Sequence, residues 1–250
     1  MSGLGAAFIL VVAFCTAVLT GVFGLAGGLV LMGALAFVLP VSAAFVTHGF
    51  IQIIANGWRA ALHRAHIKWP IIGFYAAGSV LAGIVVAYVA LTPSKPLLYL
   101  LLGLVSGIVW LPKNFLRLDA QIPSHAFGAG LSVTGLNLAA GVAGPALDIF
   151  FVRTGLTRHQ IVATKAATQV FSHLAKIIVY GAPLLRLGAP GMPPAWLFVA
   201  VAPLSIIGTV IGGRILEKLT DENFIAWTKK IITVIGAAYL IRAAQLYFLS

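Results

Sequence analysis

The chain has 250 residues, of which 61% are hydrophobic and 8% charged, and its mean hydropathy is +1.07. A soluble domain carries about 25% charged residues, so the composition excludes one and reads as an all-α integral membrane protein. The net charge of +11 does not point to nucleic acid: the bases fall in short loops between apolar segments, where they meet anionic lipid.

The N-terminal MSGLGAAFIL has no basic region and no clear cleavage site, so the first hydrophobic run is expected to remain in the mature protein. Segment 3–39 is too long for one crossing and short for two, given roughly 20 residues per span. Glycines 21, 24, 27 and 28 interrupt it, and a break into two short helices is expected. Single spans follow at about 41–62, 70–91 and 96–112. Segment 124–152 repeats the first pattern, interrupted by Gly135, Gly141 and Gly144-Pro145. Spans at 160–182, 195–216 and 223–247 complete the chain. The lone Cys15 excludes an intramolecular disulfide and reads as a small buried apolar residue. The six histidines show no i, i+4 pair; His63 and His66 lie in a basic loop without a carboxylate, so no metal site is expected. No cofactor is expected either.

One stretch occurs twice. Gly141–Lys176 falls on Gly24–Arg59 when slid back by 117 residues, without a gap. Thr47 meets Thr164, His48 meets Lys165, Gln52 meets Gln169, Asn56 meets His173 and Arg59 meets Lys176. Matches between apolar letters mean little in such a chain, but matched amides and bases point to duplication. After a loop insertion, Gly78-Ser-Val-Leu-Ala-Gly83 matches Gly208-Thr-Val-Ile-Gly-Gly213.

Treating each broken segment as a hairpin puts Arg59, Arg64, Lys68, Lys113, Arg117, Arg153, Arg158, Arg214, Lys218, Lys229 and Lys230 on one side. Lys95, Arg186 and Arg242 are left on the other. That asymmetry marks the first side as cytoplasmic. Both termini then lie on the non-cytoplasmic side. Each copy crosses an odd number of times, which makes the fold two inverted-topology repeats, 1–118 and 119–250, in a single transmembrane domain. Each repeat is a glycine-broken hairpin followed by three transmembrane helices. Inverted repeats with matched broken helices are the sequence pointer to a secondary transporter.

The paired stretches Gly24-Leu-Ala-Gly-Gly28 and Gly141-Val-Ala-Gly-Pro145, with the approach Leu156-Thr-Arg-His-Gln-Ile-Val-Ala-Thr164, resemble the sulfite exporter TauE/SafE family over almost the whole chain. The chain departs from that family where Pro145 replaces a glycine and Lys165 replaces a small residue. The resemblance implies a permease of the bacterial inner membrane for sulfite, sulfoacetate or other sulfonates.

The polar residues within the apolar segments speak independently. A charge at depth is costly, about 2.5–3.5 kcal/mol on insertion scales, and faces a cavity or a partner. His48, Gln52 and Asn56, and likewise Lys165, Gln169 and His173, form stripes at i, i+4, i+8 on their helices. The structural reading of such stripes is helix–helix hydrogen bonding. The functional reading is an anion site between the repeats, with Lys165 and His48 balancing charge and Gln52, Gln169, Thr47, Thr164, Asn56 and His173 around it. Backbone N–H groups near Gly24, Gly27, Gly28, Gly141 and Gly144 would bind the anion's oxygens. Asp148 either neutralises Lys165 or Lys176 or carries a coupled proton. Arg59 and Lys176 end the stripes, either guiding an anion or reaching headgroups.

No catalytic signature such as Gly-x-Ser-x-Gly or His-Glu-x-x-His appears, and an enzyme is not expected. The expected partners are a small anion, membrane lipid, a coupling proton and a second copy of the chain, with no nucleic acid. A passive anion channel and a carrier for non-sulfur carboxylates remain the alternatives.

Overall fold

The computed structural model describes residues 1–112, 116–187 and 191–248, with the backbone alone at 25, 185–187, 221, 222 and 225. Lys113 and the side chain of Arg186, both used in the charge count, lie outside the described residues.

The described chain is helical throughout: α1 (Gly3–Phe23), α2 (Leu25–Val38), α3 (Val41–Leu62), α4 (Trp69–Val89), α5 (Lys95–Gly107), α6 (Pro123–Ala140), α7 (Gly144–Phe151), α8 (Arg158–Leu187), α9 (Ala195–Leu216) and α10 (Asp221–Phe248). Local chemistry sets most starts. The Ser2 and Ser94 hydroxyls accept from Gly5 N and Leu97 N at the heads of α1 and α5. Proline occupies the first turn of α4, α5, α6 and α7, where no N–H is missed. Thr157 and Gln160 exchange side-chain bonds to each other's backbone N–H, a capping box that starts α8.

Both glycine-broken segments break, but not into two short helices: the breaks fall late in each apolar run, so α1 keeps 21 residues, enough to cross, and α6 keeps 18. Gly24 (φ 61) separates α1 from α2, and Gly141 (φ 78) ends α6 ahead of α7. In each case the glycine N–H returns to the carbonyl four residues back, Thr20 O or Asn137 O, both at 2.9 Å. A positive φ of this kind strains any residue with a Cβ, which explains glycine at both breaks.

Among the described residues, four helices are long and apolar enough to cross a membrane: Gly3–Phe23, Trp69–Val89, Ala195–Leu216 and Ala226–Phe248. Their outward faces carry exposed Val11, Val80, Ile84, Val199 and Val234, a surface suited to lipid. Cys15 also points outward on α1, not into the core, because the buried stripe of that helix runs through Ala6, Ile9, Ala13 and Ala17.

The helices pair across the duplication. α1 packs mainly on α9, α4 on α6, α5 on α10, and α3 on α8 at the centre. Glycines permit the tight crossings: a Cβ on Gly130 would sit 2.0 Å from Tyr75 O, and one on Gly212 would sit 2.2 Å from Val18 O. The matched Gly78 and Gly208 serve this purpose too, the first against Phe127 O at 2.2 Å and the second against Phe14 O at 2.8 Å. α2 is enclosed, with Leu29, Leu31, Met32, Leu35 and Ala36 at 0–1% exposure. Tyr239 and Tyr99, from α10 and α5, donate to its carbonyls at Leu29 (2.7 Å) and Gly33 (2.9 Å).

Candidate functional site

The central helices α3 and α8 bring the two polar stripes face to face, and the breaks at Gly24 and Gly141 bring the N-termini of α2 and α7 to the same place. Between them lies a cavity of about 20 Å³, room for roughly one water molecule. Its walls are Thr20, Gly24, Gly28, His48, Gln52, Asn56, Asn137, Val142, Ala143, Gly144, Gln169 and His173. A far larger groove, about 890 Å³, runs between α4 and α8. Its walls are mainly apolar, including Val80, Ile84, Leu174 and Ile178, and hold no charged side chain, so it offers nothing to an anion.

Gly24, Gly28, His48, Gln52, Asn56, Gly144, Gln169 and His173 thus meet at one cavity. Asn56 Nδ2 donates to Gln52 O (3.0 Å) and to Gln52 Oε1 (3.3 Å), which turns the Gln52 amide group toward the cavity with its N–H₂ unspent. Gly28 leaves room for that amide: a Cβ there would lie 2.7 Å from Gln52 Nε2. The His48 and His173 rings are 5.4 Å apart. Asn137 Oδ1 and His173 Nδ1 are buried without a hydrogen-bond partner. Two orphaned polar atoms in one wall are costly unless water or a ligand joins them.

Neither α2 nor α7 has a side-chain cap at its N-terminus. Their first-turn N–H groups therefore remain available beside Gly24 and at Val142–Gly144, with the positive ends of two helix dipoles. Sequence reasoning missed Thr20 and Asn137. They are themselves a matched pair at the offset of 117, one turn before the compared stretch. Extending the register by four residues reveals them.

The remaining residues lie elsewhere. Lys165 does not line the cavity; its ammonium pairs with Asp148, on the neighbouring α7, and the two side chains are 19% and 42% exposed. Asp148 therefore takes Lys165 and not Lys176. Lys176 is fully buried. Its Nζ donates to Gly141 O (2.5 Å), meets His48 Nδ1 at 3.2 Å and lies 5.4 Å from the centre of the Phe45 ring. It does not reach headgroups. Its counterpart Arg59 donates to Thr20 O at 3.0 Å, so each cation binds a carbonyl at the end of the helix before a break. Thr164 Oγ1 accepts from Lys68 N, and Thr47 Oγ1 is buried without a partner. Gly27 serves packing: a Cβ would lie 2.0 Å from Thr20 Oγ1 and 2.2 Å from Thr16 O. Outside the spans, His159 joins His63 and His66, with ring centres 6.2 and 5.4 Å away. That contact between the two halves could not be read from spacing.

The family model for the sulfite exporter TauE/SafE matches residues 9–240. No curated protein and no solved structure matches the chain.

Proposed function

Because the chain belongs to the sulfite exporter TauE/SafE family, we propose that it is a secondary active transporter of small anions, with sulfite and organosulfonates as the substrate class. The mechanism proposed is alternating access between two inverted repeats, 1–118 and 119–250, in the bacterial inner membrane with both termini on the non-cytoplasmic side. One observation carries this reading. The uncapped N-termini of α2 and α7 meet at a cavity walled by the matched pairs Thr20/Asn137, Gln52/Gln169 and Asn56/His173.

Backbone N–H groups and carboxamides are the donors that the three oxygens of a sulfonate or sulfite require. The crossed pairing of α1 with α9 and α4 with α6 supports the repeat reading, since each copy then lends its first helix to the other's fourth. The small, walled cavity supports a carrier over a channel. A pore would need a continuous wet path, whereas a site with room for about one water must be widened by movement of the repeats before it takes an anion.

The test is counterflow in proteoliposomes. Vesicles preloaded with unlabelled sulfite should transiently accumulate labelled sulfite above equilibrium, and the flux should saturate. Conductive flux without this stimulation would establish the channel instead. Flux of lactate but not of sulfite or sulfoacetate would move the substrate class to carboxylates. No flux of any of these above protein-free vesicles would overturn the reading.

A further inference from the structure

We propose that Lys176 is the positioning and charge-selecting residue of the cavity, acting through His48. The inference rests on the cavity being the anion site, and it assigns the charge to a residue that does not itself line the cavity.

Lys176 and Arg59 occupy matched positions, yet their surroundings differ. Near Arg59, on the other copy's helix, stands Lys165, whose charge is met by Asp148. Near Lys176 stands His48, the match of Lys165, and here no carboxylate follows: the residue matched with Asp148 is Leu31, enclosed in the core at 1% exposure. Among the described residues, Asp119 and Glu217 lie outside the spans. The groups that face Lys176 Nζ are one carbonyl, one imidazole nitrogen and one aromatic ring. These solvate an ammonium but do not neutralise it.

The hydrogen bonds fix the histidine. His48 Nε2 lies 3.0 Å from Gly28 O, and a carbonyl only accepts, so Nε2 carries the hydrogen. Nδ1 is then the acceptor for the Lys176 ammonium at 3.2 Å. Lys176 thereby holds the ring with its N–H edge at the cavity wall beside Gly28, and as an ammonium it would place behind that wall a positive charge that no carboxylate among the described residues meets. An anion in the cavity supplies the charge that Asp148 supplies to Lys165. A neutral molecule of the same shape does not.

Two measurements test this. The first compares binding of methanesulfonate and of dimethyl sulfone, its neutral tetrahedral counterpart, to purified protein by calorimetry. Wild-type protein should prefer methanesulfonate. Lys176→Met should lose methanesulfonate affinity on the order of a hundredfold, as for removing one partner of a buried charge pair, while sulfone affinity falls far less, by only what the freed His48 ring costs both ligands. A folded Lys176→Met protein that keeps the wild-type preference would overturn the proposal.

The second does not depend on Lys176→Met folding. Nitrogen NMR of histidine-labelled wild-type protein, with His48→Gln used for assignment, should show His48 protonated at Nε2 and bare at Nδ1. A hydrogen on Nδ1 would sink the Lys176–His48 bond whatever binds. If neither probe bound wild-type protein while the NMR signature held, the anion-site reading would fail and charge selection with it, whereas the positioning of His48 would stand.

Discussion

The two breaks lie at matched positions of the sequence and are built differently. The first is a packed hairpin. One residue, Gly24, turns the chain, and the 14-residue α2 lies closely along α1 through Gly27. The second is looser. Residues 141–143 stand outside helix, α7 has only eight residues, and it touches α6 far less than α2 touches α1. There Val142, Ala143 and Gly144 form cavity wall, and Lys176 on Gly141 O braces the end of α6. One break thus supplies a packed back to the cavity and the other a buried stretch of non-helical backbone in its wall. Both matched stretches carry the glycine that makes the break, while the residues beside it decide whether packing or the Lys176 side chain holds it.

The sharpest way to break this comparison is Gly27→Ala. Its Cβ would meet Thr16 O and Thr20 N, backbone atoms that cannot step aside, so α1 and α2 must part. We expect a loss of about 3 kcal/mol, seen as a steep fall in melting temperature in detergent. Little change would mean that the first hairpin is not rigid.

Next is Lys176→Met in the empty protein. It removes a charge whose burial costs several kcal/mol, and leaves Gly141 O and His48 Nδ1 without their donor, which costs about 1–3 kcal/mol. A gain of about 2 kcal/mol is predicted, alongside the loss of anion affinity. A strongly destabilised variant would mean that the bond to Gly141 O matters more to the fold than the desolvated charge costs. Lys165→Met should act in the opposite sense and more weakly. It leaves Asp148 without its partner, but that carboxylate is 42% exposed and water replaces much of the loss, so about 1 kcal/mol is expected. The double variant with Asp148→Asn should recover most of it, and equal losses in the single and double variants would refute the pairing.

The smallest effect concerns pH, where the two halves meet outside the spans. Partial burial, then His159, His66 and Arg59, hold the His63 imidazole below its ordinary value of 6.5. The unfolded chain therefore binds more protons than the folded one once the pH falls below that value. Stability is lost on acidification, and the penalty is complete below the folded-state value. His63→Gln should shrink the fall in melting temperature between pH 7.5 and 5.5 by about 1 °C. A larger acid sensitivity in the variant would reverse the sign and reject the argument.

The break positions were legible in the sequence because glycine is the residue that takes a positive φ without strain, and Gly24 and Gly141 are aligned by the duplication. The membrane class followed from composition, and the spans near 70–91, 195–216 and 223–247 followed from apolar length. The stripe residues Gln52, Asn56, Gln169 and His173 were legible because a period of four puts them on one helix face. What spacing could not give is depth. α3 and α8 run past each other, so the basic residues do not face their own matches: His48 comes beside Lys176 and not Lys165, and Asp148 finds Lys165. Likewise Cys15 reads as apolar and small, and only the packing of α1 on α9 settles that it faces outward. The sequence by itself determined a membrane helix bundle, its two breaks and the residue types of a polar centre, since these depend on local propensity and on hydrophobicity summed along the chain. Tertiary structure alone decided which cation is neutralised and which is not. That depends on which helices cross, and a crossing is a property of packing between distant segments.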